Sequence, residues 1–199
     1  MKSVIFKKTS QLVGSISMAG VCQVVSLSPL VLSETVYQVV ASVKDLLKAG
    51  DSPSPLPLVD LAGSVAIVTG SNTGIGKETV RGLVVRGATV IMACRDLDKA
   101  RQAAEEIGSE NIKVRKCDLA SFASVRQFCQ QIQEEEQKID ILVNNAGVFS
   151  MERSLTEDNQ DLQFQVNHFG HFLLTNLLID KLKAAKAGRI INVSSIAHW

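Results

Sequence analysis

From Gly63 onward the chain alternates short apolar runs with longer stretches whose apolar residues recur at helical spacing, and this alternation narrows its folds more than anything else. Val65-Ala66-Ile67-Val68, Val90-Ile91-Met92-Ala93, Ile112-Lys113-Val114, Ile139 to Val143 and Arg189 to Val193 read as strands. Between them the spacing predicts a helix over Gly74 to Arg86 with Gly87 as its stop, one marked by Leu97, Ala100, Ala104 and Ile107, one by Val125, Phe128, Cys129 and Ile132, and a long one over Gln163 to Ala185. Strands apolar on both faces and joined by crossover helices make a parallel sheet covered on both sides. The class is α/β, a doubly wound parallel sheet of about five strands. All four prolines lie at or before Pro57, so no such breaker interrupts these elements. With 46% hydrophobic and 21% charged residues, disorder of the whole chain is excluded. The net charge of +1 argues against a nucleic-acid binder that relies on a broad basic surface, and against an acidic tail.

Residues 1–60 read as an extension. Lys2, Lys7 and Lys8 precede Thr9 to Ser33, which holds no charged side chain and exceeds the roughly 20 residues a bilayer crossing takes. Its many serines dilute Val and Leu, so a membrane anchor, a cleavable targeting segment and an inert extension all stay open. Val36, Val39, Val40, Val43 and Leu47 then lie on one face of a short helix that Gly50 would close, packed on its own domain or laid on a membrane surface. The stiff run Ser52 to Pro57 is the boundary, after which residues 61–199 form the second domain. Cys22, Cys94, Cys117 and Cys129 contain no C-x-x-C pair and read as reduced, buried thiols in a cytosolic, nuclear or matrix-like compartment.

The first strand runs into Thr69-Gly70-Ser71-Asn72-Thr73-Gly74-Ile75-Gly76, with glycines at the strand end and where the helix opens. Glycine lets a diphosphate approach the backbone, where free amides and the positive helix end stabilise it. A turn between strand and helix is the context a dinucleotide site requires, the bland alternative being a turn that only packs helix on sheet.

The spacing G-x-x-x-G-x-G, preceded by Thr, together with Asn144-Asn145-Ala146-Gly147 after the fourth strand, resembles the short-chain dehydrogenase/reductase family. Ala93-Cys94-Arg95-Asp96, Cys117-Asp118-Leu119-Ala120, the run Val166 to Thr175 and Arg189 to Ser195 extend the likeness to its retinol dehydrogenase-like branch, over about residues 61–199. The resemblance implies a Rossmann-type fold and a cofactor site drawn from Gly70, Ser71, Asn72, Thr73, Gly74, Ile75, Gly76, Arg95, Asp118, Leu119, Asn144, Ala146 and Gly147. Within it Asp118 takes the adenine edge, and Asn144 takes the cofactor wall or bridges backbone at the strand end. At the end of the second strand a carboxylate would select NAD, whereas a guanidinium suits a 2′-phosphate; Arg95 therefore favours NADP(H), and Asp96 is expected to cap the next helix. Lys77 either helps to hold phosphate or is an exposed helical lysine.

For catalysis the resemblance assigns Ser195 to the substrate oxygen and Asn167 to a water of the proton relay. His168 and His171, one turn apart, have no third ligand nearby, so no metal is expected; His198 beside Ser195 lacks the nucleophile elbow of a hydrolase. The family's base stands in Tyr-x-x-x-Lys, and Tyr37 is the single tyrosine here, so an incomplete sheet, truncated before that motif, and no turnover by the polypeptide alone are expected. The implied reaction is hydride transfer between nicotinamide and an alcohol or carbonyl substrate, retinoid or another lipid. The alternative is a noncatalytic fragment that binds nucleotide weakly or pairs with a full-length relative through its exposed fifth strand, an unpaired edge with apolar faces. No nucleic-acid partner is expected, an oligomer is open, and residues 9–48 would set location: endoplasmic reticulum membrane or mitochondrion, or cytoplasm if they are inert.

Overall fold

The computed structural model describes residues 59–195. Its elements follow in the order β1 (Val65–Thr69), α1 (Gly74–Val85), β2 (Thr89–Cys94), α2 (Leu97–Ile107), β3 (Ile112–Lys116), α3 (Phe122–Glu135), β4 (Ile141–Asn144), α4 (Leu162–Phe164), a π-helical turn (Gln165–Phe169), α5 (Gly170–Lys183) and β5 (Arg189–Asn192). The five strands are all parallel, in the order β3-β2-β1-β4-β5. This is the doubly wound, Rossmann-type sheet expected from the alternation. The chain winds outward from β1 to β3 and then returns to the other side of β1, so β1 and β4 flank the point where the winding reverses. In open α/β sheets that crevice is where ligands bind.

The pleat sends alternate residues of each strand to opposite faces. Ile67, Ile91 and Leu142 join Phe128, Ile132, Leu174 and Leu178 of α3 and α5 on one side. Ala66, Val68, Val90 and Met92 meet Val80 of α1 and Ala100 and Ala103 of α2 on the other. Full burial of such side chains is worth about 1.5–3 kcal/mol each, which holds both helix layers on the sheet. Leu61 belongs to this unit already, since its N–H donates to the Arg86 carbonyl at 2.7 Å. Asp96 caps α2 as expected: its carboxylate accepts from the Lys99 N–H at 3.0 Å, and that hydrogen bond holds the carboxyl below its ordinary range. Cys94, Cys117 and Cys129 are free and buried, and burial pushes the Cys129 thiol up to about 12.

Four local expectations need correction. β4 begins at Ile141, not Ile139, because the Ile139 N–H goes to the Lys181 carbonyl at the end of α5 instead of into the sheet. The single helix expected over Gln163 to Ala185 contains a π-helical turn at Gln165–Phe169. Gly170 follows that turn and presses so closely on the chain after β3 that a Cβ there would lie 2.7 Å from the Leu119 carbonyl oxygen. Two strands depart from burial on both faces. At the edge, β3 is half-buried, and Lys113 and Arg115 pair with Glu136 at 2.6 Å and Glu135 at 2.9 Å. β5 is exposed throughout among the described residues, with Ile190 and Ile191 at 41% and 46%.

The expectations for the uncharged run, the helix over residues 34–48, the linker at 52–57, Cys22, Tyr37 and His198 fall outside the described residues. Among the described residues no helix is long and apolar enough to cross a membrane.

Candidate functional site

The glycine turn is built by contact with the segment after β4. Gly70 has φ +60°, and a Cβ on it would lie 2.8 Å from both Cα and Cβ of Ala146. A Cβ on Gly76 would meet Asn145 Nδ2 at 2.5 Å and the Gly70 carbonyl oxygen at 2.7 Å. Gly74 differs: its φ of +56° calls for glycine, yet nothing lies within 4 Å of where its Cβ would stand. The open side of the turn is therefore at the start of α1. There Thr73, the N-cap, makes no side-chain hydrogen bond, and no acidic residue occupies the first turn. A helix start without side-chain acceptors presents amides and positive potential to an anion. Thr73 and Ile75 are exposed on its rim and Asn72 is half-buried. Ser71 is turned inward, its hydroxyl donating to the Val68 carbonyl at 3.0 Å, so only its backbone faces the turn.

At the corner where β2 and β3 end, Arg95 is exposed. Lys116 stands opposite Cys94 in the parallel register, and its ammonium donates to the Arg95 carbonyl at 2.6 Å. A second cation thus joins Arg95, one that sequence reasoning missed; its place next to Cys117-Asp118 at a strand end was the available signal. Asp118 is half-buried and accepts from the Ala120 N–H at 3.0 Å, whereas the Leu119 side chain belongs to the core. Lys77 is not the exposed helical lysine expected. It pairs with Glu106 of α2, whose carboxyl this hydrogen bond lowers, and so it is committed to tying α1 to α2.

At the reversal of the winding, the Thr69 hydroxyl accepts from the Asn145 and Ala146 N–H groups at 2.9 and 3.0 Å and lies 2.9 Å from His171 Nε2. Asn145 Nδ2 donates to the carbonyls of Thr69 and Gly70. Asn145, absent from the predicted set, is thus the asparagine that braces the glycine turn. Asn144 points elsewhere: 4% exposed, it donates to Thr175 Oγ1 at 3.1 Å and to Asn192 Oδ1 at 2.8 Å, a bridge from β4 to α5 and β5. The period of two sends neighbouring asparagines to opposite sides, so adjacency in sequence could not say which one faces the turn.

Asn167 lies in the π-helical turn. Its side chain is spent on Val148, accepting from the N–H at 2.8 Å and donating to the carbonyl at 2.9 Å. Its main-chain carbonyl receives His171 Nδ1 at 3.4 Å. Burial pushes the His171 imidazole down to about 4. Gly147 passes close to the Asn167 amide, with 3.6 Å from Oδ1 to the place a Cβ would take. A cleft of about 590 Å³ lies between the helix and β5, lined by Asn167, His171, Phe172, Ile190, Asn192 and Ser194. Ser195 follows Ser194 at the end of the described chain and is exposed. The structure therefore brings the serine pair and Asn167 to the C-terminal end of the same sheet as the glycine turn. No group of three or more metal-binding side chains occurs among the described residues.

Residues 64–198 match the family model described as short chain dehydrogenase. Human retinol dehydrogenase 13 is 48% identical over 176 residues, spanning 86% of this chain and 52% of that protein. The chain thus spans about half the length of the curated relatives it matches. Among solved structures, a metagenomic short-chain oxidoreductase in complex with NADP is similar with a TM-score of 0.62 and 35% identity, over 69% of this chain and 64% of that one. The Pseudomonas aeruginosa RhlG/NADP active-site complex gives a TM-score of 0.61 and 32% identity, over 71% and 58%.

Proposed function

The chain belongs to the short-chain dehydrogenase family, and from that premise we propose that its described unit is the NADP(H)-binding part of an oxidoreductase acting on an alcohol or carbonyl compound, a retinoid or related lipid. The observation that carries this reading is the open, uncapped start of α1 at Gly74, with Arg95 and Lys116 at the neighbouring strand ends. Bound nicotinamide would supply or take the hydride. The amides of residues 74–76 hold the diphosphate, and Arg95 with Lys116 answers the 2′-phosphate. Ser195 hydrogen-bonds the substrate oxygen. Because the Asn167 side chain is engaged with Val148, its part in a proton relay falls to its main-chain carbonyl, which has a second lone pair for water.

Arg95→Glu tests the cofactor assignment. A charge-assisted hydrogen bond is worth about 1.5–3 kcal/mol, so NADPH affinity should fall by roughly tenfold or more while NADH affinity changes little. Calorimetric titration of both nucleotides measures it; equal losses for the two would sink the assignment.

A second reading, association through β5, is supported by the exposure of that edge strand on both faces. It predicts self-association of the 199-residue chain at micromolar concentration, reduced by Ile191→Lys. Light scattering after gel filtration checks this, and a monomer unaffected by the substitution counts against it.

A further inference from the structure

The cofactor and substrate roles above leave His171 unused, although it is buried at the reversal point and touches both halves of the site. Its protonation follows from counting lone pairs. The Thr69 hydroxyl has two, and the Asn145 and Ala146 N–H groups take both. Were His171 to carry its proton on Nε2, Thr69 would have to accept a third hydrogen bond. Thr69 therefore donates, and its nearer acceptor is His171 Nε2 at 2.9 Å, with the Val143 carbonyl farther away at 3.4 Å. The other nitrogen leads to the same answer, for Nδ1 faces the Asn167 carbonyl oxygen, which can only accept. Both ends of the ring select the neutral tautomer with its proton on Nδ1.

We propose that His171 is a positioning residue which, as the neutral Nδ1–H tautomer, links the Asn145–Ala146 segment under the glycine turn, through Thr69, to the main-chain carbonyl of Asn167. The occupied turn and the orientation of that carbonyl are then set together. The π-helical turn places its carbonyl and imidazole in line: Asn167 lies within it, and His171 stands in the first turn of α5 directly after it. Phenylalanine at 171 would fill the space but leave the Thr69 hydroxyl and the Asn167 carbonyl without this partner. Glutamine would return an acceptor to Thr69. The inference rests on the proposed function only in taking the turn as the nucleotide site and Asn167 as part of the relay.

The test uses the 199-residue protein labelled with ¹⁵N. Histidine nitrogen spectra at neutral pH should show His171 with Nδ1 protonated and Nε2 bare; an Nε2–H tautomer or an imidazolium overturns the proposal. His171→Phe should shift the amide resonances of Asn145 and Ala146 and weaken NADPH binding by about tenfold, the loss expected for a buried hydrogen bond of ordinary strength. His171→Gln should recover most of both, and His168→Ala, on the exposed side of the turn, should change neither. Unchanged Asn145 and Ala146 resonances in folded His171→Phe overturn the proposal. If His171→Phe does not fold, the tautomer and the His171→Gln spectrum decide. If the unsubstituted protein binds no NADPH, the cofactor reading fails, while tautomer and amide shifts still judge the link.

Discussion

Gly76→Ala is expected to lower stability by about 1–3 kcal/mol and to remove measurable NADPH binding, because the added methyl has nowhere to go. Its Cβ would stand 2.5 Å from Asn145 Nδ2, 2.7 Å from the Gly70 carbonyl oxygen and 2.9 Å from Ser71 Cα. Two of these three are backbone, and the third is an amide held by the Thr69 and Gly70 carbonyls. Relief of the clash must open the glycine turn away from the segment after β4, which displaces the amides proposed to hold the diphosphate. Helix propensity alone points the other way, since alanine is better than glycine in a helix by roughly 0.5–1 kcal/mol. Gly82→Ala isolates that opposing effect. It lies in the same helix with nothing within 4 Å of its Cβ site, so it should stabilise by about that amount and leave binding intact. Urea unfolding and NADPH titration of the two variants measure the contrast. Retained affinity in Gly76→Ala would show that the turn is not the nucleotide site.

Acidification from pH 6.5 to 4.5 is expected to cost about 2 kcal/mol through His171 alone. Burial holds its imidazole neutral down to about 4, against 6.5 for the free side chain. The unfolded chain therefore takes up a proton in this window and the folded chain does not, so stability falls as pH falls, by about 1.4 kcal/mol per unit. The loss is complete below the folded value. The carboxyls of Asp96, Glu106 and Glu135 are shifted down by their hydrogen bonds, so their contribution is complete above their ordinary range and is lost as pH falls through that range and below it. That loss sets in at the lower edge of the window and has the same sign, so the His171 contribution is read as the difference in slope between the unsubstituted protein and His171→Gln. His168, three residues before His171, acts on it in the same direction as burial, further disfavouring the imidazolium. Urea unfolding across this range, repeated on His171→Gln, provides the check. The substitution should flatten the slope, and an equal slope in both proteins would place the titrating group elsewhere.

The strand–helix alternation was readable because burial imposes periodicity on sequence. Val125, Phe128, Cys129 and Ile132, picked out by spacing, are the buried residues of α3. The π-helical turn was not readable in that way. Its residues, Gln165 to Phe169, continue a helical pattern without a break, and the extra residue is stabilised by tertiary contacts: Gln165 donates to Asp158 at 2.6 Å, and Gly170 abuts Leu119. The exposure of β5 was expected only in the alternative that pairs this strand with a relative, since Ile190 and Ile191 by themselves have the composition of a covered strand. Lys77 reads as a solvated lysine until α2 brings Glu106 beside it.

At the site the same division holds. The glycine spacing, the strand before it and the helix after it marked the turn, and Arg95 marked the neighbouring corner. Which asparagine braces the turn, which cation joins Arg95 and which histidine joins the hub depended on neighbours brought together by the winding. Thr69 is separated from Asn145 by 76 positions and from His171 by 102. By itself the sequence determined the elements, their α/β class and the place of the glycine turn, because backbone preference and hydrophobic period act over a few residues. Only the tertiary structure decided the partners of Thr69, Asn145, Lys116 and His171, because a parallel sheet with crossover helices brings together strand ends that no local pattern relates.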